Sequence, residues 1–257
     1  MPRRRAGAAI DPADRRPYFG DATFGDFNND GWVDLVVLDR SESMNPEVRA
    51  VFFLNRGQGT FEPMPTTWSG LDGNGICGEA ADLNNDGVLD LVFAADPHNS
   101  GLAVGVVRYE SKVYWNTGEH GAKNNRWLRF SGVTHAELIG ARVEVSAADK
   151  KQYRWIHSNH SYKSGGTLEV HFGLGKQEQV DITVILINGS RHDFPQLKAN
   201  HYLDLNLTTG SALELCPRSI ADKTNSFLPP SYKDSRSVRQ PANGTNAPRK
   251  EIKSIAA

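Results

Sequence analysis

DFNNDGWVD occupies residues 26–34 of the chain, and the related stretch DLNNDGVLD occupies residues 82–90. Both follow the pattern D-x-N-x-D-G-x-x-D, and an apolar segment rich in Val and Leu comes directly after each. Side-chain oxygens at alternate loop positions, helped by a main-chain carbonyl oxygen, can surround a hard cation. The pattern therefore predicts two metal sites. The predicted ligands are Asp26, Asn28, Asp30, Asp34 and the Trp32 carbonyl in the first loop, and Asp82, Asn84, Asp86, Asp90 and the Val88 carbonyl in the second.

The chemistry of these ligands indicates which ion they bind. Each loop offers carboxylate and amide oxygens without a His or Cys beside them, and such donors favour calcium, magnesium or manganese over zinc or copper. Calcium tolerates irregular coordination whereas magnesium requires a tight octahedron, so we expect one Ca²⁺ in each loop. Gly31 and Gly87 supply the positive φ that the sharp turn needs.

An EF-hand is the nearest alternative interpretation of the loops. That motif ends in a bidentate Glu at its twelfth position and lies between helices. Here Val37 and Phe93 occupy the twelfth position, and the segments that follow are typical of buried strands. We therefore expect Asp34 and Asp90 to close the sites. The other alternative is a turn rich in Asp, Asn and Gly that binds no ion.

The segments around the loops repeat as well. A strand-like run that ends in Asn-x-Gly follows each loop, as VFFLNRG at residues 51–57 and VYWNTG at residues 113–118. This arrangement resembles the FG-GAP, or VCBS, repeat of β-propellers over roughly residues 18–118, and the resemblance implies a calcium loop between two strands of each blade. Closed propellers have about four to eight blades. With two blades visible, we expect a fragment of a longer product, packing of the blades on the next domain, or self-association of copies.

A second region, from about residue 126 to residue 207, alternates between apolar and polar residues and contains short Gly, Asn and Asp clusters. This pattern predicts a small antiparallel β-sandwich or barrel, and no amphipathic helix is evident. The predicted strands are Trp127–Phe130, Ala141–Val145, Gln152–Ile156, Leu168–Phe172, Val180–Ile187 and Tyr202–Leu205.

The motifs of this region resemble the ASPIC/UnbV domain, which follows FG-GAP/VCBS repeats in the cartilage acidic protein-like family. They are NRWL at 125–128, IGARVEV at 139–145, SYKS at 161–164, VHFGLG at 170–175 and VDITV at 180–184. The segment LING at 186–189 replaces the Trp-Pro-x-Gly of that family.

These observations predict an all-β chain in which two propeller-blade-like repeats, forming a partial β-propeller, precede a small β-sandwich-like domain. The expected boundaries are a disordered basic leader at 1–17, the repeats at 18–118, a linker at 119–125, the ASPIC/UnbV-like domain at 126–207 and a disordered basic tail at 208–257.

Charge and apolar content limit the partners. The formal net charge is −1, which gives no reason to expect a nucleic-acid partner, and no apolar run approaches the roughly 18 residues of a membrane span. No signal-peptide pattern follows Met1, yet the resemblance implies an extracellular or secreted protein, and a truncated beginning would reconcile the two. Cys77 and Cys216 are compatible with one disulfide or with two free thiols. The partners expected are extracellular proteins or glycans.

An enzyme is the alternative function. His157, His160, Tyr162 and His171 do not follow a standard zinc spacing, and no catalytic or cofactor-binding residue is predicted. The Gly173-Leu-Gly175 loop lacks the third glycine of a dinucleotide fingerprint. The five tryptophans are expected in the core rather than as sugar-stacking platforms. The sequence therefore favours a non-catalytic, calcium-binding interaction or adhesion module, with a sugar-acting or lyase-type enzyme, or a partial gene product, as alternatives.

Overall fold

The computed structural model of the chain describes residues 19–39, 50–71, 75, 77–94, 111–131, 136–147, 150–158 and 165–215. The predicted leader at 1–17, most of the predicted tail, and Cys216 lie outside these residues, whereas Cys77 is buried in a strand. The described residues form four β-sheets with one short α-helix, which confirms the prediction of an all-β fold.

The first sheet is a four-stranded antiparallel meander in the order β1-β2-β3-β4. Its strands are β1 Phe19–Gly25, β2 Asp34–Asp39, β3 Val51–Asn55 and β4 Phe61–Met64. Helix α1, Thr66–Ser69, follows β4 and ends at Gly70, whose φ of 67° is the left-handed conformation typical of a helix end. The nine-residue stretch at 26–34 connects β1 to β2, as predicted for a blade.

The second sheet repeats the start of the first. It contains β5 Cys77–Ala81, β6 Asp90–Ala94 and β7 Lys112–Tyr114 in that order, all antiparallel. The stretch at 82–90 connects β5 to β6, and β5 packs beside β1 of the first sheet. The two sheets share one apolar core, in which Phe27 meets Phe52 edge-on with 5.4 Å between the ring centroids.

The second domain consists of two four-stranded sheets. One has the order β10-β9-β12-β13, and the other has the order β11-β8-β14-β15, in which β14 runs parallel to β8. The strands are β8 Arg126–Ser131, β9 Arg142–Ala147, β10 Lys150–Trp155, β11 Glu169–Gly175, β12 Gln179–Ile185, β13 Arg191–Lys198, β14 His201–Asn206 and β15 Ser211–Glu214. Short 3₁₀ turns at Ala122–Asn124 and Ala136–Leu138 precede β8 and β9.

A single apolar core lies between these two sheets, which makes the second domain a sandwich. Val143 of β9 and Ile182 of β12 face Phe130 of β8 and Phe172 of β11, and all four are at most 1% exposed. Burying a side chain of this kind contributes roughly 1.5–3 kcal/mol. The alternating residues that predicted the strands are the ones that fill this core.

Two strands of the second domain were not among the sequence predictions. Strand β13 carries Pro195, and a bulge places Gln196 at a φ of 56°, so the apolar alternation that marks a strand is interrupted there. Strand β15 lies beyond residue 207, the expected end of this domain, and extends the sheet by pairing with β14.

Candidate functional site

The first loop folds around the carboxylate of its first residue. Asp26 Oδ1 accepts a hydrogen bond from the Asp30 amide at 3.0 Å, and Asp26 Oδ2 accepts one from the Gly31 amide at 2.7 Å. Asp30 Oδ1 accepts from the Trp32 amide at 2.8 Å. Gly31 permits this turn because its φ is 87°, a conformation that residues with a Cβ rarely adopt.

The last carboxylate of the first loop secures the next hairpin. Asp34 is fully buried; its Oδ2 accepts from the Phe27 amide at 3.1 Å, and its Oδ1 accepts from the Asn55 amide at 2.8 Å. Asn55 returns a hydrogen bond from Nδ2 to the Val33 carbonyl at 2.8 Å. The recurrent Asn-x-Gly therefore has a physical role, because its Asn attaches the end of β3 to the loop.

The second loop reproduces the first. Asp82 Oδ1 accepts from the Asp86 amide at 3.1 Å and Oδ2 from the Gly87 amide at 3.0 Å, and Asp86 Oδ1 accepts from the Val88 amide at 2.9 Å. Asn84, like Asn28 in the first loop, accepts from the amide two residues on, at 3.0 Å, and donates to the fifth-position Asp, at 2.8 Å. The predicted residues of each stretch thus come together in one loop.

The closing carboxylate of the second loop also follows the pattern. Asp90 accepts from the Leu83 amide at 3.1 Å and from the Asn116 amide at 2.8 Å. Asn116 belongs to the second Asn-x-Gly, so the two repeats share the whole arrangement.

Two asparagine side chains connect the loops to each other. Asn116 Nδ2 donates both to the Leu89 carbonyl at 3.1 Å and to the Phe27 carbonyl of the first loop at 2.8 Å. Asn29 Nδ2 donates to the Gly87 carbonyl at 3.0 Å. The two loops therefore belong to one connected hydrogen-bond network in the repeats.

Burial makes the ionised form of the loop carboxylates energetically costly. Burial raises the pKa of Asp26 to about 7, and the nearby Asp30 adds repulsion. Burial likewise raises the pKa of Asp34 to about 8 and that of Asp90 to about 6. The pKa of Asp82 is also raised by burial, while the Arg129 guanidinium acts in the opposite direction. A bound cation would relieve this cost.

The donors suit a hard cation, although they are not gathered into a ready cluster. All the side-chain donors are oxygens, and the carbonyl oxygens of Trp32 and Val88 accept no hydrogen bond within the described part of the chain. Among those same residues, no three His, Cys, Asp or Glu side chains are grouped so that they could hold a metal ion. In the conformation described, the carboxylates instead engage loop amides. The donor set fits calcium by its chemistry.

The second domain docks on main-chain atoms of the first loop. Asn125 Nδ2 donates to the Asn28 carbonyl at 2.9 Å, and the Gly175 amide donates to the Asn29 carbonyl at 2.8 Å. Both contacts depend on the conformation of the loop, because they are made to carbonyls in the middle of it.

Two further contacts press the second domain against the first loop. Lys150 Nζ donates to the Asp30 carbonyl at 3.2 Å and lies 3.9 Å from the centroid of the exposed Trp32 ring. Gly173 passes so close that an added Cβ would lie 2.1 Å from Asp26 Oδ2. Only glycine fits at this point of β11.

The second loop receives a buried arginine. Arg129 of β8 is 3% exposed, donates from Nη1 to the Asp82 carbonyl at 3.0 Å, and forms a 3.0 Å ion pair with Asp82 Oδ2. Its Nη2 donates to Asn85 Oδ1 at 2.7 Å. His171 Nε2 donates to the Gly87 carbonyl at 3.1 Å, and burial lowers the pKa of His171 to about 4.

Sequence reasoning missed the residues that the second domain contributes. Arg129 stands in the run WLRF and resembles any polar residue of an alternating strand. The Gly173-Leu-Gly175 segment offered the best signal, because glycines in a strand interior often mark a close backbone approach. Here that approach is to the first loop.

The remaining sequence candidates are dispersed. His157 is exposed after β10, His171 lies against the second loop, and His160 and Tyr162 fall outside the described residues. The expectation of five core tryptophans is wrong. Trp68, Trp115 and Trp127 are half-buried, and of these Trp68 packs against the core of the repeats. Trp32 is 44% and Trp155 is 53% exposed. Both lie on strand or loop segments that face away from the cores.

Comparison with known families matches both halves of the chain. The family model for the FG-GAP-like repeat matches residues 16–93, and the model for ASPIC and UnbV matches residues 132–212. A search of curated proteins found no match. In the part of the chain that the structure describes, no helix has the length and apolar character needed to cross a membrane. FG-GAP repeats are typical of extracellular, integrin-like proteins and of protein interaction. The chain thus contains an FG-GAP-like repeat region that is followed by an ASPIC and UnbV domain.

Proposed function

We propose that the chain is a calcium-binding, non-catalytic interaction module of the extracellular space, in which calcium stabilises the loops that carry the ASPIC and UnbV domain. The ligands are those of the two D-x-N-x-D-G-x-x-D loops, from Asp26 to Asp34 and from Asp82 to Asp90. Calcium would neutralise their carboxylates without changing any covalent bond. The residues of the chain hold the loop shape and present it to the second domain.

The convergence of interdomain hydrogen bonds on the two loops carries this proposal. Five residues of the second domain and its preceding turn each donate a hydrogen bond to a main-chain carbonyl of the loops. The accepting residues are Asn28, Asn29, Asp30, Asp82 and Gly87. Each such bond contributes about 0.5–1.5 kcal/mol net. An ion that holds the loop backbone would therefore also hold the interface.

Calcium concentration outside cells suits loops of this kind. Extracellular calcium modules bind in the range of about 10⁻⁴–10⁻³ M, and the repeat type is typical of extracellular proteins. We therefore place the module outside the cell, with a protein or glycan partner. The exposed Trp32 and Trp155 are side chains through which such a partner can make contact.

Hydrogen exchange tests the coupling directly. The Gly175 amide donates across the interface to Asn29, whereas the Ile156 amide donates to Ala141 within the second domain at 2.9 Å. Replacing chelator with millimolar Ca²⁺ should slow exchange at Gly175 and leave Ile156 unchanged. Equal exchange at Gly175 in both conditions would contradict the coupling of calcium to docking.

A cleft between the two domains gives the enzyme alternative its specific support. This cleft of about 370 Å³ is lined by Glu79, Tyr153, Trp155, His157 and Glu169, among others. Burial raises the pKa of Glu79 to about 7, with repulsion from Asp21 added. A carboxyl group in this range can exchange protons near neutral pH, as a general acid or base does.

An assay of polysaccharide turnover distinguishes the interaction module from the enzyme. The chain would be incubated with neutral and uronic-acid polysaccharides, and new reducing ends or unsaturated products would be measured. The interaction module predicts no turnover by the wild-type chain. Turnover that Glu79→Gln abolishes, while the calcium response stays intact, would favour the enzyme.

A further inference from the structure

The two loops share one motif but differ at one carboxylate oxygen. In the second loop, Asp82 Oδ2 accepts from the Gly87 amide and also pairs with the Arg129 guanidinium, each at 3.0 Å. In the first loop, the equivalent Asp26 Oδ2 accepts from the Gly31 amide at 2.7 Å, and Asp26 forms no ion pair with a described residue. The first carboxylate of the second loop is therefore already paired with a cationic side chain, whereas that of the first loop is not paired with a described residue.

Arg129 is held in place from several sides. Its side chain is 4% exposed, and its guanidinium carbon lies 3.9 Å from the centroid of the Tyr202 ring. Nη2 bonds Asn85, and Nε lies 3.8 Å from a Glu169 carboxylate oxygen. Because these contacts would be lost together, the guanidinium cannot readily leave Asp82 to make room for another cation.

The cations near the first loop are placed differently. Lys150 donates to a main-chain carbonyl, that of Asp30, rather than to a carboxylate. Arg154 donates to the Tyr153 carbonyl and to Gln152 Oε1. Arg154 and Lys150 interact with Asp26 through space, but neither forms a hydrogen bond or an ion pair with its oxygens.

We propose that Arg129 makes the two loops unequal calcium sites. The first loop binds Ca²⁺ with the higher affinity, and the second binds it at least tenfold more weakly, because the guanidinium of the second domain already uses the first carboxylate of that loop. The inference rests on the proposed calcium function. Two cations that share one buried carboxylate repel each other strongly, since the surroundings screen them poorly.

Matched substitutions in the two loops test this with Arg129 in place. Asp30 and Asp86 hold the same motif position, and each accepts a bond from the amide two residues on. Calcium titration calorimetry of metal-free Asp86→Asn should retain the high-affinity site, and Asp30→Asn should retain only the weaker one. Equal affinities in the two variants would overturn the inference while leaving the proposed function intact. Absence of calcium binding to the wild-type chain would overturn both.

A second test of the proposal removes the guanidinium of Arg129. In the Asp30→Asn background, Arg129→Met should tighten the remaining site at least tenfold, and Arg129→Lys should leave it weak. Arg126→Met is the control, because Arg126 pairs at 2.7 Å with the exposed Glu178. Weaker binding after Arg129→Met would mean that Arg129 supports the site, which contradicts the inference. If Arg129→Met does not fold, the comparison of Asp30→Asn with Asp86→Asn decides alone.

Discussion

The repeats and the ASPIC and UnbV domain are both β-sheet structures, but their interiors differ in the kind of side chain that they bury. Buried polar side chains are concentrated in the repeats, where Asp26, Asn29, Asp34, Asp82, Asp90 and Asn116 are at most 7% exposed. The sandwich core is almost entirely apolar, and its buried Arg129 turns toward the repeats. We therefore expect any ion-dependent stability to lie in the repeats, and stability that depends on apolar packing to lie mainly in the sandwich.

The largest effect is expected from a substitution in the apolar core of the sandwich. Phe130 is fully buried, and its ring centroid lies 5.9 Å from that of Phe172. Phe130→Ala should lower the free energy of unfolding of the sandwich by about 3–5 kcal/mol, because it leaves a cavity. Urea denaturation should show the same loss in calcium and in chelator, and a loss confined to one condition would contradict the separation of the two regions.

The next largest effect is expected from a substitution in the first loop of the repeats. Asp30→Ala should remove the first calcium site and lower stability only when calcium is present. The expected loss is about 2.7 kcal/mol at a calcium concentration 100 times the dissociation constant. Denaturation in calcium and in chelator measures it. Asp193→Ala is the control, since Asp193 is an exposed Asp of the sandwich that pairs with Arg191.

A smaller effect is expected where the two regions meet. Gly173→Ala would place a Cβ 2.1 Å from Asp26 Oδ2 and 2.5 Å from the Asn29 Cα, so the domains must separate locally. We expect a loss of about 1–3 kcal/mol and faster proteolysis of the linker at 119–125. Gly165→Ala, whose Cβ would meet only the Ser158 carbonyl oxygen, at 3.0 Å, serves as the control. Unchanged proteolysis of Gly173→Ala would argue against a tight interface.

The smallest effect concerns a carboxylate outside the loops. The pKa of Glu79 rises from 4.5 to about 7 on folding, mainly through burial, so the folded state keeps a proton that the unfolded state releases. The loss of folding stability that Glu79 causes is therefore absent below about pH 4.5 and complete above about pH 7. Glu79→Gln should therefore be more stable than wild type by about 1 kcal/mol at pH 8, after allowance for solvent screening of this half-buried group, and equally stable at pH 4. A stability difference that does not change between these pH values would contradict this assignment.

The loops could be predicted from sequence because the hydrogen bonds within each loop are local. The oxygen donors that would bind an ion lie within nine consecutive residues in each loop. Asn55 and Asn116 are recognisable in the sequence because each belongs to a recurrent Asn-x-Gly. Strands such as Arg142–Ala147 were predictable because one face is buried and the other is not.

The interface could not be predicted in the same way. Arg129 and Asp82 are far apart in the sequence and belong to different domains, so no local pattern relates them. Lys150 looks like any lysine at the start of an exposed strand, yet it lies over Trp32. Such contacts form only when the two folded domains pack against each other.

Thermal unfolding in chelator, in millimolar Ca²⁺ and in millimolar Mg²⁺ shows whether the two loops bind calcium. Calcium should raise the melting temperature clearly more than magnesium does, because the loops offer an irregular all-oxygen donor set. A cooperative transition at one temperature in all three conditions would contradict calcium binding by the two loops.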